Sequence, residues 1–340
     1  MLAFPVDTYL TIRSVLAVTL TYFIIHLNNM IPRNDIQRIV TSWGKPNTLT
    51  SNLSHYPTDF SQDITPIPCH SHNDYERRAP LYDALAAGCT SVEADVWYSP
   101  RDLLVGHTLK SLTQARSLKT LYIDPLVHIL SHQNPSSEPL TVATNDDATN
   151  ELHGIFDSSP KTPLILLVDI KTDPNKTFTA TSEALEPLRS RGWLTHFDGT
   201  RVIERAITVV ASGDAPFSLL TFNSTYRDIF FDAPLADLWG EDAPRNHTLY
   251  NSENSFYAST NFEATVGPLW HGVLSPKQVD IIRGQVGEAQ KRGLKARYWN
   301  TPSWPRRKME HVWDVLEREG VGMLNVNDLE GAAHRRWLGH

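Results

Sequence analysis

Glu93 and Asp95 are separated by one residue, and in an extended chain residues two apart project from the same face. Two carboxylates held that close repel one another and lose hydration on burial, so the pair calls for protons, a basic partner or a metal ion. By itself it fits an exposed strand or a set of salt bridges at least as well. A third carboxylate, Asp169, lies in the segment Asp169-Ile170-Lys171-Thr172, where Lys171 shares its face. An all-oxygen donor set of Glu93, Asp95 and Asp169 favours a hard cation, Mg²⁺ or Ca²⁺, over zinc. His70 and His107 add two side chains able to exchange protons near neutrality, as a general acid and base on opposite sides of a phosphorus would. Any one of the 14 histidines is more often structural than catalytic. Lys171 could pair with Asp169 and also present a point charge to a phosphate oxygen.

Such groups act together only if rigid elements converge on them. Short apolar runs alternate with helical patterns from residue 63 onward, the rhythm of βα units in a parallel sheet. Strands are expected at Ile64 to Cys69, Ser91 to Trp97, Leu164 to Ile170, Ala206 to Ala211, Leu219 to Phe222, Phe256 to Ser259, Lys295 to Trp299 and Met323 to Val326. Helical stretches between them stop at Gly88, Gly192, Gly293 and Gly320, the residue type that most readily ends a helix. Eight strands predict an α/β fold of the (β/α)8 TIM-like barrel type. The polar clusters fall immediately after the strands, which in a barrel is the C-terminal face where active sites are built. Between Thr221 and Asn261 the rhythm is interrupted by Asp, Pro, Asn and Trp.

The order of the set is specific: a histidine ending the first strand, Glu-x-Asp ending the second, a histidine 12 residues past Asp95, and Asp-x-Lys ending a later strand. It resembles the phospholipase-C-like phosphodiesterase superfamily, which includes glycerophosphodiester phosphodiesterases and the sphingomyelinase D group. The segments HSHNDYERRAPLYDAL, GCTSVEADVWYSPRDLLVGH and LLVDIKT are most similar to the fungal altered inheritance of mitochondria protein family. The resemblance runs from about Ile67 to Leu329 and is densest before Thr172. It implies a divalent metal held by Glu93, Asp95 and Asp169, with His70, His107 and Lys171 catalytic. It also implies a small insertion over Leu112 to Leu130, and metal-dependent hydrolysis of a glycerophosphodiester or (lyso)phospholipid-type substrate through a cyclic phosphodiester.

Departures are present. His70 is followed by Ser71 and His72 where glycerophosphodiesterases carry Arg-Gly, and His107 by Thr108 where they carry Asp. The His70-to-Asn73 spacing, and Asp169 in place of Glu, are more like sphingomyelinase D. Two other readings therefore stay open. One is an inactive barrel serving as a binding or scaffold protein. The other is an amidohydrolase-type metal hydrolase using His70-x-His72 and Asp328, although that chemistry needs histidines where Ala211-Ser212-Gly213 and Ser259-Thr260-Asn261 stand. Asn73 and Trp299 sit where a substrate pocket would have its walls, and His72 is expected to orient a neighbour or face solvent.

A net charge of −7 gives no global reason to bind nucleic acid, and 41% hydrophobic with 20% charged residues is the make-up of an ordinary globular chain. Residues 1–30 contain an apolar run, Val15 to Leu27, short enough for a signal peptide and marginal for an anchor, so N-terminal membrane association, secretion and a mitochondrial route are all open. Residues 31–62 read as a linker and 63–335 as the barrel. With Cys69 ending one strand and Cys89 preceding the next, the two cysteines should lie about 15 Å apart, beyond the ~7 Å limit for bridging, and remain free thiols.

Overall fold

The computed structural model describes residues 15–26, 61–134, 152–240 and 249–338. Eleven strands occur among them: β1 (Ile67–Ser71), β2 (Cys89–Ser99), β3 (Asp102–Val105), β4 (Leu164–Ile170), β5 (His196–Phe197), β6 (Val202–Ile203), β7 (Ile207–Gly213), β8 (Ile229–Pro234), β9 (Ser255–Asn261), β10 (Lys295–Trp299) and β11 (Leu324–Val326). Eight of them form a parallel sheet in the order β1-β2-β4-β7-β8-β9-β10 with β11 on the other side of β1. A single bridge between Arg297 and Met323 brings β10 to β11, so the sheet is a nearly closed (β/α)8 barrel. The short β5-β6 hairpin lies outside it. β3 runs antiparallel against the far half of β2, which therefore extends past the barrel as one arm of a hairpin.

The strand sequences explain why two cores form. In β4, Leu164, Leu166, Val168 and Ile170 face outward into the large core shared with the helices. Ile165 and Leu167 face inward and join Val210, Tyr257 and Met323 in a separate apolar plug inside the barrel. This is the two-residue alternation of a strand buried on both faces. Outside, helix Arg306–Arg318 buries Met309, Val312, Trp313 and Leu316 at helical spacing, and helix Pro276–Lys291 begins with a Ser275/Gln278 capping box. Above the plug the inward positions turn polar.

Two expectations fail. Leu219 to Phe222 is not a strand: Phe217–Leu220 is one helical turn, and the fifth barrel strand is β8. The apolar run Ile229-Phe230-Phe231 is followed at once by Asp232, Ala233 and Pro234, which hid it from periodicity. The cysteines are not free: Cys69 and Cys89 form a disulfide, with Cα atoms 4.8 Å apart. β1 continues two residues beyond Cys69, β2 already starts at Cys89, and an irregularity between Ile67 and His70 shifts the register, so the two cysteines lie close together on neighbouring strands.

Most of the predicted linker lies outside the described residues, but Ser61 is buried and donates to the Ile155 carbonyl. Residues 15–26 form a helix whose apolar side chains are exposed. No helix among the described residues is long and apolar enough to cross a membrane.

Candidate active site

The sequence-predicted residues meet at the C-terminal mouth of the barrel. One oxygen each from Glu93, Asp95 and Asp169 can be chosen so that all lie within 4.8 Å of one another. Glu93 and Asp95 come from β2 and Asp169 from β4, where Asp95 and Asp169 are direct register partners. Gly213 makes room beside them: a Cβ there would stand 2.2 Å from Asp169 Oδ1, and the residue has a φ of +65°. Asp95 Oδ1 is buried with no hydrogen-bond partner.

β1 delivers His70, which is fully buried, its Nδ1 2.7 Å from Ser91 Oγ and its Nε2 3.4 Å from Glu93 Oε2. Burial above all, and then the Arg297 charge, push the His70 imidazole down to about 4, so it is neutral at physiological pH. Burial acts to raise Glu93, but polar neighbours outweigh it and hold the carboxyl below its ordinary range. The hydrogen bond with His70 leads these neighbours, with the Arg297 charge behind it, and the Asn73 backbone N–H also donates to Glu93 Oε2 at 3.0 Å. Asp95 is raised to about 6, by burial first and then by Glu93 and Asp169, against the pull of Lys171. Burial also raises Asp169.

Lys171 Nζ lies 3.0 Å from Asp95 and 3.2 Å from Asp169. Burial works to lower this ammonium, but the two carboxylates outweigh it and raise it, so it stays charged. His107 arrives by a different route. β3 carries the chain back along β2, the Gly106 N–H donates to the Asp95 carbonyl at 3.2 Å, and Trp97 Nε1 donates to the Gly106 carbonyl at 2.6 Å. That anchor puts His107 Nδ1 3.6 Å from Asp95 Oδ2 while more than half of its side chain stays in solvent.

Asn73 and Tyr75 form a bracket between the two histidine-bearing elements. Asn73 sits at a φ of +49°, a conformation Asn tolerates better than most residues. The Tyr75 hydroxyl donates to Asn73 Oδ1 at 2.8 Å and lies 3.2 Å from His107 Nδ1. Arg116, within the expected insertion, donates to the Tyr75 carbonyl. With the tyrosine proton on Asn73, the network assigns a proton to His107 Nδ1 and leaves Nε2 open. Asn73 also lines a cavity of about 440 Å³ with His72, Glu76, Arg77 and Asn327. His72 Nδ1 is 2.8 Å from Asn327 Oδ1, and its Nε2 lies 4.0 Å from Glu93 Oε2. Trp299 ends β10 and is partly exposed.

The far wall escaped the sequence reading. Asp232 on β8 and Arg297 on β10 form a buried ion pair at 3.3 Å, and Arg297 also donates to Ser259 Oγ at 3.0 Å and Asn325 Oδ1 at 2.9 Å. Burial raises Asp232. Arg297 had a signal, since it shares a strand face with Trp299. Asp232 had none, because its strand was misplaced.

The described geometry is that of a TIM-like barrel whose polar mouth gathers three carboxylates, a lysine and histidines. The chain matches the family model for the AIM6-like phosphodiesterase domain over residues 58–232, just over half its length. It is 38% identical over 296 residues to the altered inheritance of mitochondria protein 6 homolog of Arthroderma benhamiae, covering 84% of this chain and 89% of that one. With altered inheritance of mitochondria protein 6 of Eremothecium gossypii it shares 34% over 281 residues, 78% of this chain and 68% of the other. A glycerophosphodiester phosphodiesterase from Parabacteroides distasonis superposes with a TM-score of 0.42 at 12% identity, over 79% of this chain and 96% of that one. The chain belongs to the AIM6-like phosphodiesterase family.

Proposed function

We propose that the protein is a metal-dependent phosphoric diester hydrolase acting on glycerophosphodiester or (lyso)phospholipid-type substrates. The observation that carries this reading is the clustering of three carboxylate oxygens within 4.8 Å, against a single lysine. The donors fit a hard divalent ion, Mg²⁺ or Ca²⁺, and the buried, unpartnered Asp95 Oδ1 is an atom such an ion would satisfy. Bound by Glu93, Asp95 and Asp169, the ion would polarise the phosphoryl group and offset its charge.

The remaining work falls to the chain itself. Lys171 places a fixed positive charge beside Asp95 and Asp169, on the side where a phosphoryl oxygen would lie. His107, held through Nδ1, presents Nε2 to solvent, and once that nitrogen has taken up a proton it can hand it to a leaving oxygen. His70 is its partner on β1, and being neutral it can accept a proton through the Nε2 that faces Glu93. Ser91 Oγ is tied to His70 and to the Tyr257 hydroxyl below the site, and both cysteines are in the disulfide. The attacking oxygen is then water or a hydroxyl of the substrate. A hydroxyl already adjacent to phosphorus gains a proximity advantage of ~7 kcal/mol or more, and its attack gives a cyclic phosphodiester.

A second division of labour has its own support. His70 has no exposed surface, whereas His72 reaches the mouth with Nδ1 held by Asn327 and Nε2 directed toward Glu93. In that version His72 exchanges the proton and His70 props Glu93 from beneath.

Purified protein tested on glycerophosphodiesters and on choline and ethanolamine lysophospholipids should turn over at least one of them with added Mg²⁺ or Ca²⁺, and phosphorus NMR should show a cyclic species first. Full turnover in excess EDTA would remove the metal from the scheme, and no turnover of any diester would favour a binding role for the barrel. His72→Ala more damaging than His70→Ala, with folding intact in both, selects the second division.

A further inference from the structure

Several large apolar side chains stand in water around the barrel mouth, each at or beyond a strand end. Leu109 lies two residues past His107, Trp270 follows β9 and the short helix Phe262–Val266, Trp299 is the last residue of β10, and Trp304 lies five residues beyond it. Trp270 is 80% exposed and Trp304 57%. The Trp270 loop lies against the helix that begins just after Trp304: a Cβ at Gly272 would stand 3.9 Å from the Lys308 side chain, and the Leu274 N–H donates to His311 Nε2 at 3.2 Å.

Directly after Trp304 and Pro305, helix Arg306–Arg318 opens with Arg306, Arg307 and Lys308 and has no acidic residue in its first turn. Cations at a helix N-terminus oppose the helix dipole, so local stability does not account for this turn. Glu310 neutralises Arg306 at 2.7 Å. Arg307 and Lys308 have no ion-pair partner among the described residues; Glu263, in the short helix Phe262–Val266, accepts from Asn300, and Asp328 and Glu330 act on Arg306.

We propose that this flank, Trp270 and Trp304 with Arg307 and Lys308, docks on the headgroup layer of an anionic phospholipid surface. Indole rings favour the boundary between hydrocarbon and water, and basic side chains beside them meet lipid phosphates. A net charge of −7 keeps the rest of the protein off such a surface, so contact would be local and oriented, with the mouth toward the lipid. The helix of residues 15–26, whose apolar side chains are exposed, would add to such contact. Docking stands whether or not the barrel is active. If the proposed hydrolysis is right, it also explains how a lipid-type substrate reaches the site.

The full chain is sedimented with phosphatidylcholine vesicles made with and without phosphatidylserine. Wild type should bind, and more tightly when phosphatidylserine is present. Trp270→Ala combined with Trp304→Ala should weaken binding on the order of tenfold per side chain. Arg307→Gln with Lys308→Gln should abolish the preference for phosphatidylserine, a several-fold effect. Residues 1–30 contain no tryptophan, so quenching of tryptophan fluorescence by brominated acyl chains cannot come from the N-terminal segment. That quenching should fall in Trp270→Phe and in Trp304→Phe, which keep the apolar bulk and report on position alone. Absence of vesicle binding, wild-type affinity in the double tryptophan variant, or unchanged quenching in both phenylalanine variants overturns the docking proposal. Binding without turnover of any diester overturns only the enzymatic one.

Discussion

The two walls of the barrel interior use the same kinds of residue to opposite ends. On the β2-β4 wall, Glu93, Asp95 and Asp169 face one another with Lys171 as the nearby cation, and an oxygen of Asp95 has no partner. On the β8-β10 wall, Asp232 is matched one to one by Arg297, which also donates to Ser259 and Asn325, although Asp232 Oδ1 too is buried without a hydrogen-bond partner. One wall is short of positive charge and the other is balanced. Burial alone therefore does not mark a site here. The uncompensated charge does, because such a cluster needs protons, a basic partner or a metal ion to offset it.

The comparison is broken most forcefully by removing one member from each wall. Asp232→Ala leaves Arg297 buried and unpaired, and should lower unfolding free energy by about 3–5 kcal/mol in urea titration. Asp169→Asn should do the reverse. The metal-free protein should keep or slightly raise its melting temperature, while turnover falls on the order of 10²–10³-fold. Equal destabilisation by both substitutions would mean that the two walls are built alike.

A smaller effect separates the disulfide from the charges. The Cys69–Cys89 bond closes a loop of 20 residues, so replacing both cysteines with Ala should cost about 3 kcal/mol of stability. The metal requirement should be unaffected. Loss of metal binding in that variant would show that the link between β1 and β2 also sets the spacing of the carboxylates.

The smallest effect is a pH dependence. Asp95 is raised from 3.8 to about 6, so the folded state holds its proton more tightly than the unfolded chain does. Metal-free stability should then fall as pH rises from about 4 to about 6, by about 2 kcal/mol. Asp95→Asn should flatten that slope, and divalent metal at neutral pH should restore the loss. A slope that survives Asp95→Asn would move its origin elsewhere, with Asp74 next in line, since burial raises that carboxyl to about 6 as well.

What the sequence disclosed follows the same division. Glu93, Asp95, Asp169 and Lys171 were legible because strand period alone puts them on shared faces, and His70 and His107 because they stand in fixed order around them. The balanced wall was not legible. Asp232 ends a three-residue apolar run too short to announce a strand, and Arg297 in a buried strand looks like an exception until its partner is known. The disulfide depended on a register shift between Ile67 and His70, which leaves no trace in composition or spacing. Asn73 was read as a pocket residue, but its bracket with Tyr75 was hidden, because it exists only where the chain turns through a positive φ just after β1.

The β2-β3 hairpin has a consequence for how this molecule can change over generations. Every carboxylate sits on a strand whose neighbours lock its length and register, but His107 hangs from an antiparallel excursion that pairs with β2 and, through one bridge, with Ser117, and takes no part in the parallel barrel. Insertions or deletions beyond Gly106 can therefore reshape the approach to the mouth without touching barrel closure. In the proposed reaction the carboxylates that would hold the ion, together with His70 on β1, are inherited as architecture, and His107 as an editable appendage on which selection for new leaving groups can act.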